Sequence, residues 1–139
     1  MRQLKFRIWD NHTKRYETCV YEAHKDCYLF IGRSGYVTAF NCYGEEIDFE
    51  DGRFVVQQYT GLKDKNGKEI YEGDIVQYNV GSSYENMSFI VQWSGDSLGY
   101  ILQSQSGDVL TNIWTPNGNR FNFIELKGNN FENPELLEQ

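Results

Sequence analysis

Turn-forming residues interrupt this sequence so often that no apolar segment has room to become a long helix. The longest unbroken run of aliphatic and aromatic residues is four, at positions 28–31. A membrane-spanning helix needs about 20. Between the interruptions, short segments alternate apolar and polar side chains, the period of a strand with one buried face. Residues 4–9 alternate in this way, with Leu4, Phe6 and Ile8 on one face and Trp9 on the other. Further strands are expected at 16–21, 28–31, 36–40, 54–59, 75–78, 89–93, 100–102 and 121–126. Residues 109–114 read as a strand or as the entry to a loop. The chain is therefore expected to be mainly β.

The interruptions carry their own geometry. Gly32-Arg33-Ser34-Gly35 connects two strands, since glycine takes positive φ without steric cost. Asn66-Gly67 is the strongest tight-turn signal, and a type I′ turn is expected there, with positive φ at both central residues. Glu72-Gly73-Asp74 is a second sharp turn and feeds the strand at Ile75-Val76-Gln77-Tyr78. A diverging turn, then Gly-Asp, then a β-branched strand is how many SH3-like barrels begin. Near the end, Asn133 can cap, Pro134 suits a first helical position and Glu135 suits the positive end of a helix dipole, so a short C-terminal helical turn is expected.

With 139 residues the chain has the size of one ordinary domain. Charge divides it unevenly. Residues 1–58 hold 8 basic and 9 acidic groups, and residues 59–139 hold 5 and 11. We read 1–58 as an N-terminal β region and 59–139 as an SH3-like barrel with a C-terminal tail, sharing one core. The net charge of −7 disfavours binding to phosphate-rich nucleic acid or to anionic membranes. Aromatics at 16% argue against disorder. No apolar run follows the charged residues at 1–7, so no secretory signal is expected and the default compartment is the cytoplasm. Three cysteines, Cys19, Cys27 and Cys42, are too few and too irregular for a disulfide framework.

The chemistry-bearing residues do not assemble into a motif. His24 and Cys27 have a spacing that zinc can use, but no second pair completes a site. No nucleophile elbow accompanies the cysteines and histidines, and acidic surroundings raise a thiol pKa. Glu45, Glu46, Asp48, Glu50 and Asp51 crowd into seven positions, which reads as a solvated acidic stretch without a calcium-loop pattern. No catalytic, cofactor or metal residue is expected, and the chain is not expected to be an enzyme.

Three ordered blocks resemble the YopX family of phage and prophage proteins. They are Lys5-Phe6-Arg7-Ile8-Trp9-Asp10, the stretch from Gln58 through Tyr59-Thr60-Gly61-Leu62-Lys63-Asp64-Lys65-Asn66-Gly67 to Val76, and Phe131-Glu132-Asn133-Pro134-Glu135-Leu136-Leu137. Residues 11–56 match no family block. Gly128-Asn129-Asn130 departs from the family, which usually has an apolar residue before the aromatic. The resemblance implies a phage or prophage origin, a β-rich fold with an SH3-type barrel, and a homo-oligomer. It implies no activity and carries over no catalytic residue.

Binding is therefore the function to expect, with a host or phage protein as partner. The candidate surface residues are Trp9, the basic turn of Lys63, Lys65 and Lys68, and the tail residues Phe131, Leu136 and Leu137. The alternative is a nucleic-acid-associated protein that uses the same basic turn with the strand aromatics Tyr59, Tyr71, Tyr78 and Trp93 as stacking faces. The apolar tail must dock on its own chain or on a neighbour, and docking on its own chain is the simpler expectation.

Overall fold

The computed structural model describes residues 3–17, 27–33, 36–41, 43–78, 85–110 and 124–138. The expected strand at 16–21, the turns at 32–35 and 115–119, the loop at 81–86 and the strands at 109–114 and 121–126 fall partly or wholly outside these residues. So do Cys19, His24 and Cys42. The chain forms two units. One is Phe6–Gln57, and the other combines Met1–Lys5 with Gln58–Gln139.

In the unit Phe6–Gln57, β1 (Phe6–Asp10) pairs antiparallel with β2 (Arg15–Glu17), placing Trp9 opposite Tyr16. A three-stranded antiparallel sheet follows, in the order β3 (Cys27–Ile31), β4 (Val37–Asn41) and β5 (Glu46–Ile47). Ala39, at its centre, is buried against neighbours on both sides.

Burial along β1 corrects the face read from alternation. Leu4 and Phe6 are exposed, at 66% and 43%, whereas Ile8, Trp9 and Asp10 are all buried. Both faces of the strand end are covered, so alternation stops reporting on burial there. Trp9 packs edge-on against Tyr16, with ring centroids 5.0 Å apart, and its indole N–H donates to Asn11 Oδ1 at 3.0 Å. Asp10 is buried because Arg53 meets it with two hydrogen bonds, Nε to Oδ1 and Nη2 to Oδ2, each 3.0 Å.

β6 (Phe54–Lys63) begins in the first unit and ends in the second. Its later part pairs with β7 (Glu69–Tyr71). A five-stranded antiparallel sheet follows, in the order β11-β10-β9-β8-β12. Its strands are β8 (Asp74–Tyr78), β9 (Ser88–Ser94), β10 (Gly99–Gln103), β11 (Val109–Leu110) and β12 (Ile124–Asn129). The fold is mainly β, and the barrel-like half takes the form of a curled half-barrel. Ile70, Val76, Phe89, Val91, Tyr100, Leu102 and Ile124 make its core.

The turn between β6 and β7 is not type I′. Gly67 has φ 81°, but Asn66 is not in the left-handed region. The Gly67 N–H donates to the Asp64 carbonyl at 3.0 Å, and the Asp64 N–H donates to the Lys68 carbonyl at 2.8 Å. This is the three-residue form, a turn followed by one glycine in the left-handed region. The cause is the Asp64 side chain, whose Oδ1 accepts from the N–H groups of Asn66 and Lys68 at 2.8 and 2.9 Å. That carboxylate stabilises a right-handed Asn66, and glycine alone takes the positive φ. At the second sharp turn Gly73 has φ 78°, and Asp74 Oδ2 accepts from the Tyr71 N–H at 2.8 Å.

The expected C-terminal helical turn is a 3-10 helix, Pro134–Leu137, packed against β9 and β12. Asn133 precedes it but makes no capping hydrogen bond with its side chain. Its Oδ1 instead accepts from the Asn129 N–H at 3.4 Å, across the bulge that breaks β12 register between Leu126 and Gly128. Gly128 leaves the room for this. A Cβ there would lie 2.4 Å from Asn133 Oδ1 and 2.9 Å from Asn133 Cβ. Gly128→Ala must therefore push the Asn133 backbone away, at an expected cost of about 1–3 kcal/mol. Urea denaturation checks this, and an unchanged midpoint would mean that the tail does not pack on β12 as described.

Candidate protein-docking site

The β9–β10 hairpin sets Trp93 directly opposite Tyr100. Directly opposed residues share a face, and the two rings meet edge-on with centroids 5.2 Å apart. Their burial differs. Tyr100 belongs to the core, whereas Trp93 is 52% exposed. The connecting loop carries Ser94-Gly95-Asp96-Ser97, closed by the Ser97 N–H donating to Ser94 Oγ at 3.2 Å. Leu98 ends this loop with φ 49° and is 81% exposed.

Thr60, Gly61 and Leu62 of β6 complete the surface. β6 is bulged here, with a register shift against β7 between Tyr59 and Leu62 and Gly61 at φ 90°. The bulge is fixed by the Thr60 hydroxyl, which donates to the Ile70 carbonyl at 2.7 Å. Between this bulge and the hairpin lies a cavity of about 440 Å³, lined by Thr60, Gly61, Leu62, Trp93, Leu98, Gly99 and Tyr100. Its lining carries no charged side chain. Such an uncharged site, with the Thr60 and Tyr100 hydroxyls among its few polar side-chain groups, suits an apolar or aromatic side chain brought by a partner.

The residues singled out from sequence are placed differently. Trp9 is 3% exposed, so it contributes no open surface. Lys63, Lys65 and Lys68 are exposed around one turn, but Lys65 pairs with Glu125 at 2.9 Å. Beside them Glu69 is paired with Lys5, and that contact, outweighing burial, holds the Glu69 carboxyl below its usual range. The basic turn is thus interleaved with acids. Phe131, Leu136 and Leu137 are half-buried, with the 3-10 helix lying on β9 and β12 of its own unit. Of the strand aromatics, Tyr59 is buried against Tyr71, and Tyr71 and Tyr78 are half-buried. Trp93 is the exposed one. Leu98 was not visible as a surface residue, although a bulky apolar residue closing a Ser-Gly-Asp-Ser turn was a usable signal.

Among the described residues no three His, Cys, Asp or Glu side chains are placed to hold a metal ion. None of the described helices is long and apolar enough to cross a membrane.

The curled antiparallel sheet with its bulged ribbon and packed C-terminal turn defines a small, mainly β protein. The family model described as YopX protein matches residues 5–138, and the chain belongs to the YopX family. Solved structures share the fold. The crystal structure of protein EF1440 from Enterococcus faecalis is 25% identical, with 99% of each chain covered and a TM-score of 0.61. That of protein yopX from Bacillus subtilis is 22% identical, again with 99% of each chain covered, at a TM-score of 0.56. No curated protein matches this chain in sequence.

Proposed function

We propose that this chain is a phage or prophage accessory protein that works in the bacterial cytoplasm by binding a host or phage protein, without catalysing a reaction. The observation that carries this reading is Leu98. A bulky side chain in the left-handed region is strained by roughly 1 kcal/mol, and glycine would relieve it. Here that strained residue is also 81% exposed at the lip of an uncharged cavity, next to a half-exposed tryptophan. Strain held at an exposed apolar site supports a role in recognition, since packing does not need it. The net charge of −7 and the acid-paired basic turn favour a protein partner over nucleic acid.

Leu98→Gly is expected to raise stability by about 1 kcal/mol in urea denaturation while weakening partner capture. The function itself is tested by affinity capture of the tagged chain from host lysate, with and without nuclease. A protein retained after nuclease and lost with Trp93→Ala or Leu98→Asp is the expected result. Recovery that vanishes with nuclease, or that ignores both substitutions, would overturn the reading.

A further inference from the structure

The unit Phe6–Gln57 contains a groove of about 680 Å³ between the β4–β5 edge, residues 48–52 and the start of β6. Its floor is apolar. Val37, Ile47, Phe49 and Phe54 are half-buried, and the rings of Phe49 and Phe54 meet edge-on with centroids 4.8 Å apart. Its rim is acidic, with exposed carboxylates from Glu46, Asp48 and Asp51, and no basic residue lines it.

Exposure alternates along this edge. Glu46, Asp48 and Glu50 face solvent, while Ile47 and Phe49 turn inward. Glu46 and Asp48, two residues apart, lie on the rim of the groove, and Asp51 adds a third carboxylate to it. None of Glu46, Asp48, Glu50 and Asp51 is paired with a cation among the described residues. The neighbouring Arg53 is engaged by Asp10, and its guanidinium lies 4.8 Å from the Phe54 ring centroid. Among the described residues β5 is the edge of its sheet, but at two residues it offers little backbone to an added strand, so binding here rests on side chains.

We propose that this groove is a second docking site, which takes an extended segment of a partner protein with lysine or arginine alternating with apolar residues. In an extended segment successive side chains point to opposite sides, so its apolar residues can face the floor while its cations reach the carboxylates of the rim. Phosphate-bearing ligands are repelled by the same carboxylates. A metal ion is poorly served, because the carboxylates are strung along the edge and do not converge.

The test is fluorescence anisotropy on the full chain with labelled nine-residue peptides. A peptide alternating Lys and Val should bind, and raising the salt should weaken it. A Lys and Gly peptide, with the same charge and no apolar side chains, should bind about tenfold more weakly. A Glu and Val peptide should not bind. Asp48→Lys with Asp51→Lys, both at exposed positions, should lower affinity for the Lys and Val peptide by about tenfold or more, with circular dichroism unchanged. Trp93→Ala should leave this binding alone, which separates the groove from the hairpin site. Equal binding of the two charge types, or of Lys-Gly and Lys-Val, would overturn the proposal. So would indifference to the double substitution, or a chain that self-associates through the groove.

Discussion

Replacing Asp64 by alanine is expected to destabilise the chain by about 4 kcal/mol, close to half the stability of many small domains. The carboxylate is buried and accepts three backbone hydrogen bonds. Asn66 and Lys68 donate to Oδ1, and Leu126, from β12, donates to Oδ2 at 3.0 Å. The Lys65 N–H adds a bond to the Ile124 carbonyl at 3.0 Å. One side chain therefore shapes the β6–β7 turn and ties it to the last strand of the sheet. Hydrogen bonds to a charged acceptor contribute about 1.5–3 kcal/mol each, and their sum is less than additive. Asp64→Asn should cost about half as much, since its amide can keep the turn but sets an NH₂ group against the Leu126 N–H. Urea denaturation at neutral pH orders the three proteins. A D64N chain as stable as the parent would remove the β12 contact from the account. Burial by itself raises the Asp64 pKa, but the N–H donors of Leu126, Lys68 and Asn66 outweigh it and hold the carboxyl below its usual value. Its contribution is therefore fully present above about pH 4 and is lost as pH falls through the lowered value.

Arg53→Ala should cost about 3 kcal/mol, because it strands a buried charge. Asp10 is 1% exposed, and burial alone would push its pKa up. The paired bonds from Arg53, with the His12 N–H and the Thr13 side chain, reverse that and bring it from 3.8 to about 2. A depressed carboxyl stabilises the fold above its unfolded pKa and stops doing so as pH falls through the folded one. The parent chain should thus lose this contribution between about pH 4 and pH 2. Without Arg53, burial dominates, and acid unfolding should move to higher pH. Arg53→Lys keeps the charge but not the two-pronged geometry, and should fall between. Circular dichroism during acid titration checks all three. Coincident curves for parent and R53A would show that Asp10 is stabilised by something else.

Much of the architecture was legible because local signals and packing agree. β8, β9 and β10 fall where short apolar runs between Gly-Asp turns place them. The misreadings are equally local. Trp9 lies on the face opposite Ile8 and counts from sequence as a surface candidate, but tertiary packing covers both sides of that strand end, and no period-two pattern records this. The turn at Asn66-Gly67 was read from its central dipeptide, whereas Asp64, two positions earlier, decides its form through backbone donors. The candidate site was partly legible. Trp93 was named among the strand aromatics, but its exposure depends on where the hairpin ends. The acidic stretch at 45–51 reads from sequence as a solvated acidic stretch. Only exposure in three dimensions separates its carboxylates from the inward Ile47 and Phe49.

The way β6 straddles the two units has a consequence for how such chains diversify. Lys5 closes the first visit to the host unit and Gln58 opens the second. The Tyr59 N–H donates to the Lys5 carbonyl at 2.8 Å, and the Lys5 ammonium lies 5.4 Å from the Tyr59 ring centroid and pairs with Glu69. The stretch between them therefore leaves and returns at neighbouring points of an already paired backbone. Segments joined in that manner can be exchanged, lengthened or rewritten while the anchoring strand ends stay put. Phe6–Gln57 thus has the connectivity of an insertion whose two ends leave from one point of the other unit.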